Sequence, residues 1–148
     1  MSETEYANWC IESMGTYKSE IIKSGMSESE AEKKTTEDFK RLLPEGLLSK
    51  DQYLFSIKED GRMAGILWFG VRGAEDNRKA FIYDINLYES ERGKGFGKKA
   101  MLLLESEVKK LGLKHIGLHV FGHNTIARTL YEKLGYETTN VNMEKKLE

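Results

Sequence analysis

The run Arg92-Gly93-Lys94-Gly95-Phe96-Gly97, followed by Lys98-Lys99-Ala100, gathers three glycines and four cationic side chains into one short stretch. Glycine in a helix or strand interior costs roughly 0.5–1 kcal/mol against alanine. Such a run therefore belongs where backbone must come close to something else. Ahead of it, Phe81-Ile82-Tyr83-Asp84-Ile85-Asn86-Leu87-Tyr88 is β-branched and aromatic, a strand pattern. Behind it, Ala100-Met101-Leu102-Leu103-Leu104-Glu105 reads as a helix. A loop from a strand's carboxyl end to a helix's amino end offers free N–H groups and partial positive charge, which suit phosphate. Arg92, Lys94, Lys98 and Lys99 add cations around it. The stretch has the makings of a pyrophosphate cradle.

Three such cradles compete. A P-loop needs G-x-x-x-x-G-K-[ST]; Arg92 stands where the first glycine belongs and Lys99 where Ser or Thr should be, so it is rejected. The dinucleotide fingerprint G-x-G-x-x-G/A is met in form by Gly95, Gly97 and Ala100. It also needs an acid at the end of the next strand for the ribose, and His119-Val120-Phe121-Gly122-His123 holds none. Arg-x-x-Gly-x-Gly, met by Arg92, Gly95 and Gly97, resembles motif A of the GNAT superfamily of acetyl-CoA-dependent N-acetyltransferases. Downstream, Asn124-Thr125-Ile126-Ala127-Arg128-Thr129-Leu130-Tyr131-Glu132-Lys133-Leu134-Gly135-Tyr136 resembles motif B of the same superfamily, N-x-x-A-x-x-L-Y-E-K-x-G-F/Y. Two motifs in the expected order are far more specific than either alone. The strong resemblance covers about Phe81 to Glu137; upstream only the order of elements agrees.

The elements that must position these residues follow from spacing. Tyr6, Cys10, Met14, Tyr17 and Ile21, with Trp9 beside them, recur at helical intervals and predict a helix over 5–23. Ser27-Glu28-Ser29-Glu30 is a capping box for a second helix with Ala31, Thr35, Phe39, Leu42 and Leu43 inward, closed by Pro44. Tyr53 to Lys58 and Met63 to Val71 read as strands joined by an Asp60-Gly61 turn. The second is apolar on both faces, which predicts a strand covered on both sides. After the strand 81–88 and the loop come a helix over 97–111, a strand over 115–121 and a helix over 125–134. Tyr136 to Thr139 and Val141 to Lys146 read as a final antiparallel pair.

The strands at 81–88 and 115–121 are joined through a helix and so run parallel. The expected class is α/β, one domain over 1–148, with a mixed sheet. The resemblance implies a GNAT-like, mostly antiparallel sheet with a central parallel pair splayed at the cofactor site and helices on both faces. The strand that usually opens that fold has no room here, because helical spacing starts within the first few residues.

Lys and Arg number 23 against 24 Asp and Glu, so no basic excess points to nucleic acid. Cys10 is the only cysteine, which excludes a disulfide framework and a zinc set. The chain opens without a signal-peptide pattern and its apolar runs are far short of the roughly 20 residues of a membrane span. A cytoplasmic protein without membrane or nucleic-acid partners is expected; a homodimer is left open.

Acetyl transfer from a thioester to an amine needs a held cofactor, a neutral amine, a polarised carbonyl and a protonated leaving thiolate. By resemblance, Arg92, Gly93, Lys94, Gly95, Phe96, Gly97 and Lys98 hold the phosphates of acetyl-CoA, and Ile85 and Leu87 lend backbone groups to its pantetheine arm. A backbone N–H near Leu87 then faces the thioester oxygen. Asn124 takes the place of the motif-B asparagine that binds the same arm; as a residue type it is equally a helix N-cap. Tyr131 takes the place of the tyrosine that protonates the thiolate, and a phenol of pKa about 10 is a proton donor at neutral pH. Asp84, a carboxylate in an apolar strand, either deprotonates the amine through water or binds it as ammonium; an ordinary salt bridge, or an Asp on the open face, is the other reading. His119 and His123 rank behind it, and no metal is called for. The function expected is transfer of acetyl from acetyl-CoA to a primary amine in a ternary complex. The rivals are a non-catalytic acyl-CoA-binding or sensor module and, behind it, a nucleotide-binding domain.

Overall fold

In the computed structural model, which describes all 148 residues, two capping boxes open the two amino-terminal helices. Ser2 Oγ accepts the N–H of Glu5 (3.2 Å) and Glu5 returns the bond to the Ser2 N–H (2.7 Å), starting α1 (Glu3–Lys23). Ser27 and Glu30 do the same for α2 (Glu28–Leu42). No helix is long and apolar enough to cross a membrane.

The sheet follows as β1 (Gln52–Glu59), β2 (Arg62–Arg72), β3 (Lys79–Leu87) and β4 (Ile116–Leu118), in that spatial order. The first three pair antiparallel and β3–β4 pair parallel, as the crossover through α3 (Phe96–Lys110) requires. Asp60 and Gly61 both take positive φ (50° and 76°), the left-handed pair of a tight hairpin turn between β1 and β2.

The two faces of β2 explain its unbroken apolar run. Leu67 and Phe69 pack with Ala80, Ile82 and the α3 residues Met101, Leu104 and Val108. Ile66 and Trp68 pack the other way, with Trp9 of α1, Leu43 and Leu54. Tyr131 of α4 (Thr125–Lys133) and Tyr136 edge the first core; Tyr6, Phe39 and Tyr83 edge the second. Helices thus cover both faces of a four-stranded mixed sheet, and α1 is the first element, beginning at Glu3.

Two expectations are corrected. Residues 136–148 form no strand, and 137–148 are exposed throughout. Val141 (71 % exposed) and Met143 (92 %) are too few apolar side chains to offset the cost of ordering the segment. In consequence the parallel pair is not central: β4 is the edge of the sheet. β4 is also three residues long rather than seven, because its pairing with β3 stops at Ile82 and Leu118.

Candidate active site

That early stop opens a gap on one side of β3. Tyr88 donates its N–H to Ala64 of β2 (2.9 Å), and antiparallel pairing alternates from there. Asn86 faces β2, whereas Ile85 and Leu87 turn their backbone N–H and C=O groups away, into the gap beyond β4. The Leu87 carbonyl is taken by Arg92 Nε at 3.0 Å.

The loop beyond reaches α3 with Gly93 and Gly95 at φ 75° and 80°, in the left-handed region. The backbone N–H groups of Gly93 through Lys98 make no hydrogen bond within the chain, and no side chain caps α3. They form a row of donors at a helix amino terminus, the arrangement that binds anionic oxygen. Arg92 braces the end of β3, and Lys94 Nζ lies 3.3 Å from Glu91. Glu91 is buried and grips Arg62 with both oxygens (2.8 and 3.0 Å), tying the loop to β2. Lys98 is exposed and has no ion-pair partner in the chain.

Asp84 is aimed by a bulge. Trp68 pairs with Asp84 but Phe69 with Ile82, so Tyr83 is an extra residue with no partner of its own. Strict alternation would turn Asp84 away from Tyr83, toward α3. The bulge instead sets both on the α1 side, where Tyr83 stacks on Trp68 (4.5 Å). There Trp9 Nε1 and Ser13 Oγ, one helical turn apart on α1, both donate to Asp84 Oδ2 at 3.1 and 3.0 Å. No cation pairs with Asp84, which removes the salt-bridge reading. Burial pushes its pKa above the ordinary carboxylate value, against the pull of the Trp9 and Ser13 bonds.

Asp84, Tyr131, Asn124 and Ile85 line one cavity of about 510 Å³ between the sheet, α1 and α4. The Tyr131 phenol pKa is raised, by burial first and then by the negative charge of Asp84. Asn124 Oδ1 caps α4 by accepting the Ala127 N–H (3.2 Å), leaving its amide N–H₂ free. Ile85 and Tyr131 also pack on the first core, which ties the strand and α4 to one apolar surface. His123 is held by the Glu20 carboxylate, and His119 lies edge-on to Phe121 (4.8 Å), at the margin of the cavity. Cys10 is half-buried, and burial raises its thiol pKa, the wrong direction for a nucleophile. No cluster of metal-ligating side chains occurs.

Ser13 was not legible as a site residue, nor was the bond from Trp9 to Asp84, because these partners are 71 or more positions apart in the chain. The bulge had no signal either, beyond an acid in an otherwise apolar strand.

The Acetyltransferase (GNAT) family profile matches residues 19–136. The chain belongs to the GNAT acetyltransferase family. It is 36 % identical over 149 residues to the uncharacterized N-acetyltransferase YycN of Bacillus subtilis, covering 99 % of this chain and 96 % of YycN. YdgE of the same organism, also an uncharacterized N-acetyltransferase, matches at 36 %, covering 99 % and 95 %. The crystal structure of YycN superposes with a TM-score of 0.93, over 99 % of this chain and 95 % of that one. The protein is therefore a GNAT N-acetyltransferase, an enzyme family whose co-substrate is acetyl-CoA.

In this GNAT enzyme the variant Gly97→Ala would read cofactor approach apart from folding. A Cβ there would meet Leu130 and Leu87 at 3.6 and 3.7 Å, ordinary contacts, and Gly97 lies inside α3. Alanine should leave stability unchanged or raise it, since glycine in a helix costs up to about 1 kcal/mol. CoA affinity should fall about tenfold or more, some 1.4 kcal/mol, if backbone and phosphate meet there. Isothermal titration and denaturant melts on Gly97→Ala read the two effects apart. Undiminished CoA affinity would leave Gly97 a turn residue only. Gly95→Ala is the less clean variant, because a left-handed φ of 80° costs a side chain about 1–2 kcal/mol in the fold itself.

Proposed function

We propose that the enzyme transfers acetyl directly from acetyl-CoA to a primary amine within a ternary complex. The observation that carries this reading is the shared cavity: Asp84 and Tyr131 face it from opposite elements, and Ile85, with its outward backbone groups, lines it too. The unpaired N–H groups of Gly93 through Lys98 hold the pyrophosphate, and the exposed Lys98 adds positive charge. The outward N–H groups of Ile85 and Leu87 and the free amide of Asn124 align the pantetheine arm. The Leu87 N–H steadies negative charge on the thioester oxygen as the amine adds.

Asp84 receives the proton that the amine must lose as its nitrogen bonds to the acetyl carbon. Tyr131 gives its proton to the sulfur as the carbon–sulfur bond breaks. The two acts are coupled. The charge on Asp84 is one of the causes that raise the Tyr131 pKa. Once Asp84 takes a proton that cause disappears, and Tyr131 becomes the stronger acid as thiolate forms. The reading also places the protein in the cytoplasm, where thiols stay reduced.

Thermal melts with saturating CoA, NAD or ATP test the first half. CoA at 100 times its Kd should add about 2.7 kcal/mol; a shift with NAD and none with CoA would defeat the proposal. Thiol release against a panel of amines tests the second half, and CoA binding without turnover of any amine would instead favour a sensor module.

A further inference from the structure

Arg72 ends β2 on the wall of the cavity that holds Asp84. Its guanidinium lies 3.6 Å from the centre of the Phe81 ring and 4.9 Å from that of Tyr83. Its Nε donates to the Tyr83 hydroxyl at 2.8 Å. Two rings and one hydrogen bond therefore hold the guanidinium in place. The two terminal nitrogens make no hydrogen bond within the chain, and no carboxylate lies within ion-pair distance. The other two cations on the cavity wall differ: Lys34 and Arg41 both bond Asp38, at 2.9 and 3.0 Å. Arg72 is thus the wall's one cation with its charge unanswered.

A guanidinium held in place with its outer N–H groups free matches a carboxylate, which it can take with two parallel bonds. Holding it in advance lowers the entropy lost when a ligand docks. Phe81 and Asp84 stand three residues apart on β3, which with the bulge at Tyr83 between them is less than the roughly 10 Å of a regular strand. We propose that Arg72 is the acceptor's carboxylate site, so that the acceptor is an amine carrying a carboxylate several bonds from the reacting nitrogen, such as a diamino acid or a short peptide. This rests on the proposed transfer at Asp84 and Tyr131, and specifies its substrate class. The acids that also line the cavity, Glu12 and Glu20 of α1, do not compete for Arg72: neither is paired with it, and Glu20 is engaged by Lys23 and His123.

The test compares amines matched except for the carboxylate: lysine with cadaverine, ornithine with putrescine, and triglycine with its amide. The wild-type enzyme should favour the carboxylated member in kcat/KM by roughly 10- to 100-fold, the worth of a charged hydrogen-bonded pair. Arg72→Gln should erase that preference while leaving the uncharged member's rate unchanged. Arg72→Lys, which keeps charge but not the fork, should fall between. Arg72 is exposed, so the variants should melt with the wild type. Equal preference in wild type and Arg72→Gln, or an equal loss for both members, overturns the carboxylate site. So does a preference for phosphoethanolamine or glucosamine 6-phosphate over every carboxylated amine, which would make the anion a phosphate. Turnover of plain diamines alone overturns the site and leaves the transferase mechanism standing. Turnover of no amine, with CoA still binding, overturns both.

Discussion

Tyr131→Phe is expected to lower kcat by about 10²–10⁴, the usual worth of a placed acid or base, with CoA affinity and melting temperature near those of wild type. The substitution keeps the ring, which packs on the first core and sits 5.8 Å from the Tyr136 ring. It removes only the hydroxyl, for which no hydrogen-bond partner exists in the chain, so folding loses little. The leaving thiolate carries charge only as the transition state is approached. An acid that meets it there contributes to turnover and not to ground-state binding. Burial and Asp84 hold the phenol pKa above its ordinary value, so Tyr131 stays protonated through the neutral range. The pH–rate profile of the wild type should therefore show no alkaline limb from Tyr131 near neutrality. The measurement is kcat with an acceptor for which chemistry is rate-limiting. A Phe variant with unreduced kcat would leave Tyr131 a core residue, and lost CoA affinity would make it a cofactor contact.

Where the sequence spoke clearly, one local cause was enough. Ser27 with Glu30 fixed the start of α2, and Asp60-Gly61 the β1–β2 turn. The apolar run of β2 is explained by the two cores it separates. Arg92 to Gly97 and Asn124 to Tyr136 marked the loop and α4 before any fold was known. What was not legible depends on distant partners. Trp9 looked like part of one side of an amphipathic helix and Ser13 carried no signal, because only the fold brings Asp84 to them. The bulge at Tyr83 reverses the face of Asp84 without any glycine or proline to announce it. The expected carboxyl-terminal strand pair failed for the opposite reason: alternation of Val141 and Met143 is a strand signal, but neither side chain finds a surface to bury it. Nothing local in the sequence singles out Arg72, because its stacking on Phe81 and Tyr83 depends on cross-strand register.

Asp84→Asn should lower kcat by a similar factor, about 10²–10⁴, and at the same time make the protein more stable at neutral pH. The two effects have one cause. Burial raises the folded-state pKa of Asp84 above its unfolded value. For a group shifted in that direction, the folded state binds more protons than the unfolded one between the two pKa values, so stability falls as pH rises through that window. Below the unfolded pKa, about 3.9, the group is neutral in both states and imposes nothing. Above the folded pKa, the buried carboxylate must be tolerated in full. Asparagine carries no charge at any of these pH values, and its Oδ1 can still accept from Trp9 and Ser13. Its melting temperature should exceed that of wild type at pH 7, and the gap should close as pH falls toward 4. In activity, the acidic limb of the wild-type pH–rate profile should lie above the ordinary carboxylate range and vanish in Asp84→Asn. Trp9→Phe supplies the independent check. It removes one of two bonds that favour the ionised form, so the limb should move to higher pH with the plateau rate largely kept. Asp84→Asn with wild-type kcat would remove the carboxylate from the chemistry. A stability gap that is flat from pH 4 to 8 would show that Asp84 is not held at a raised pKa. A limb unmoved by Trp9→Phe would assign it to another group.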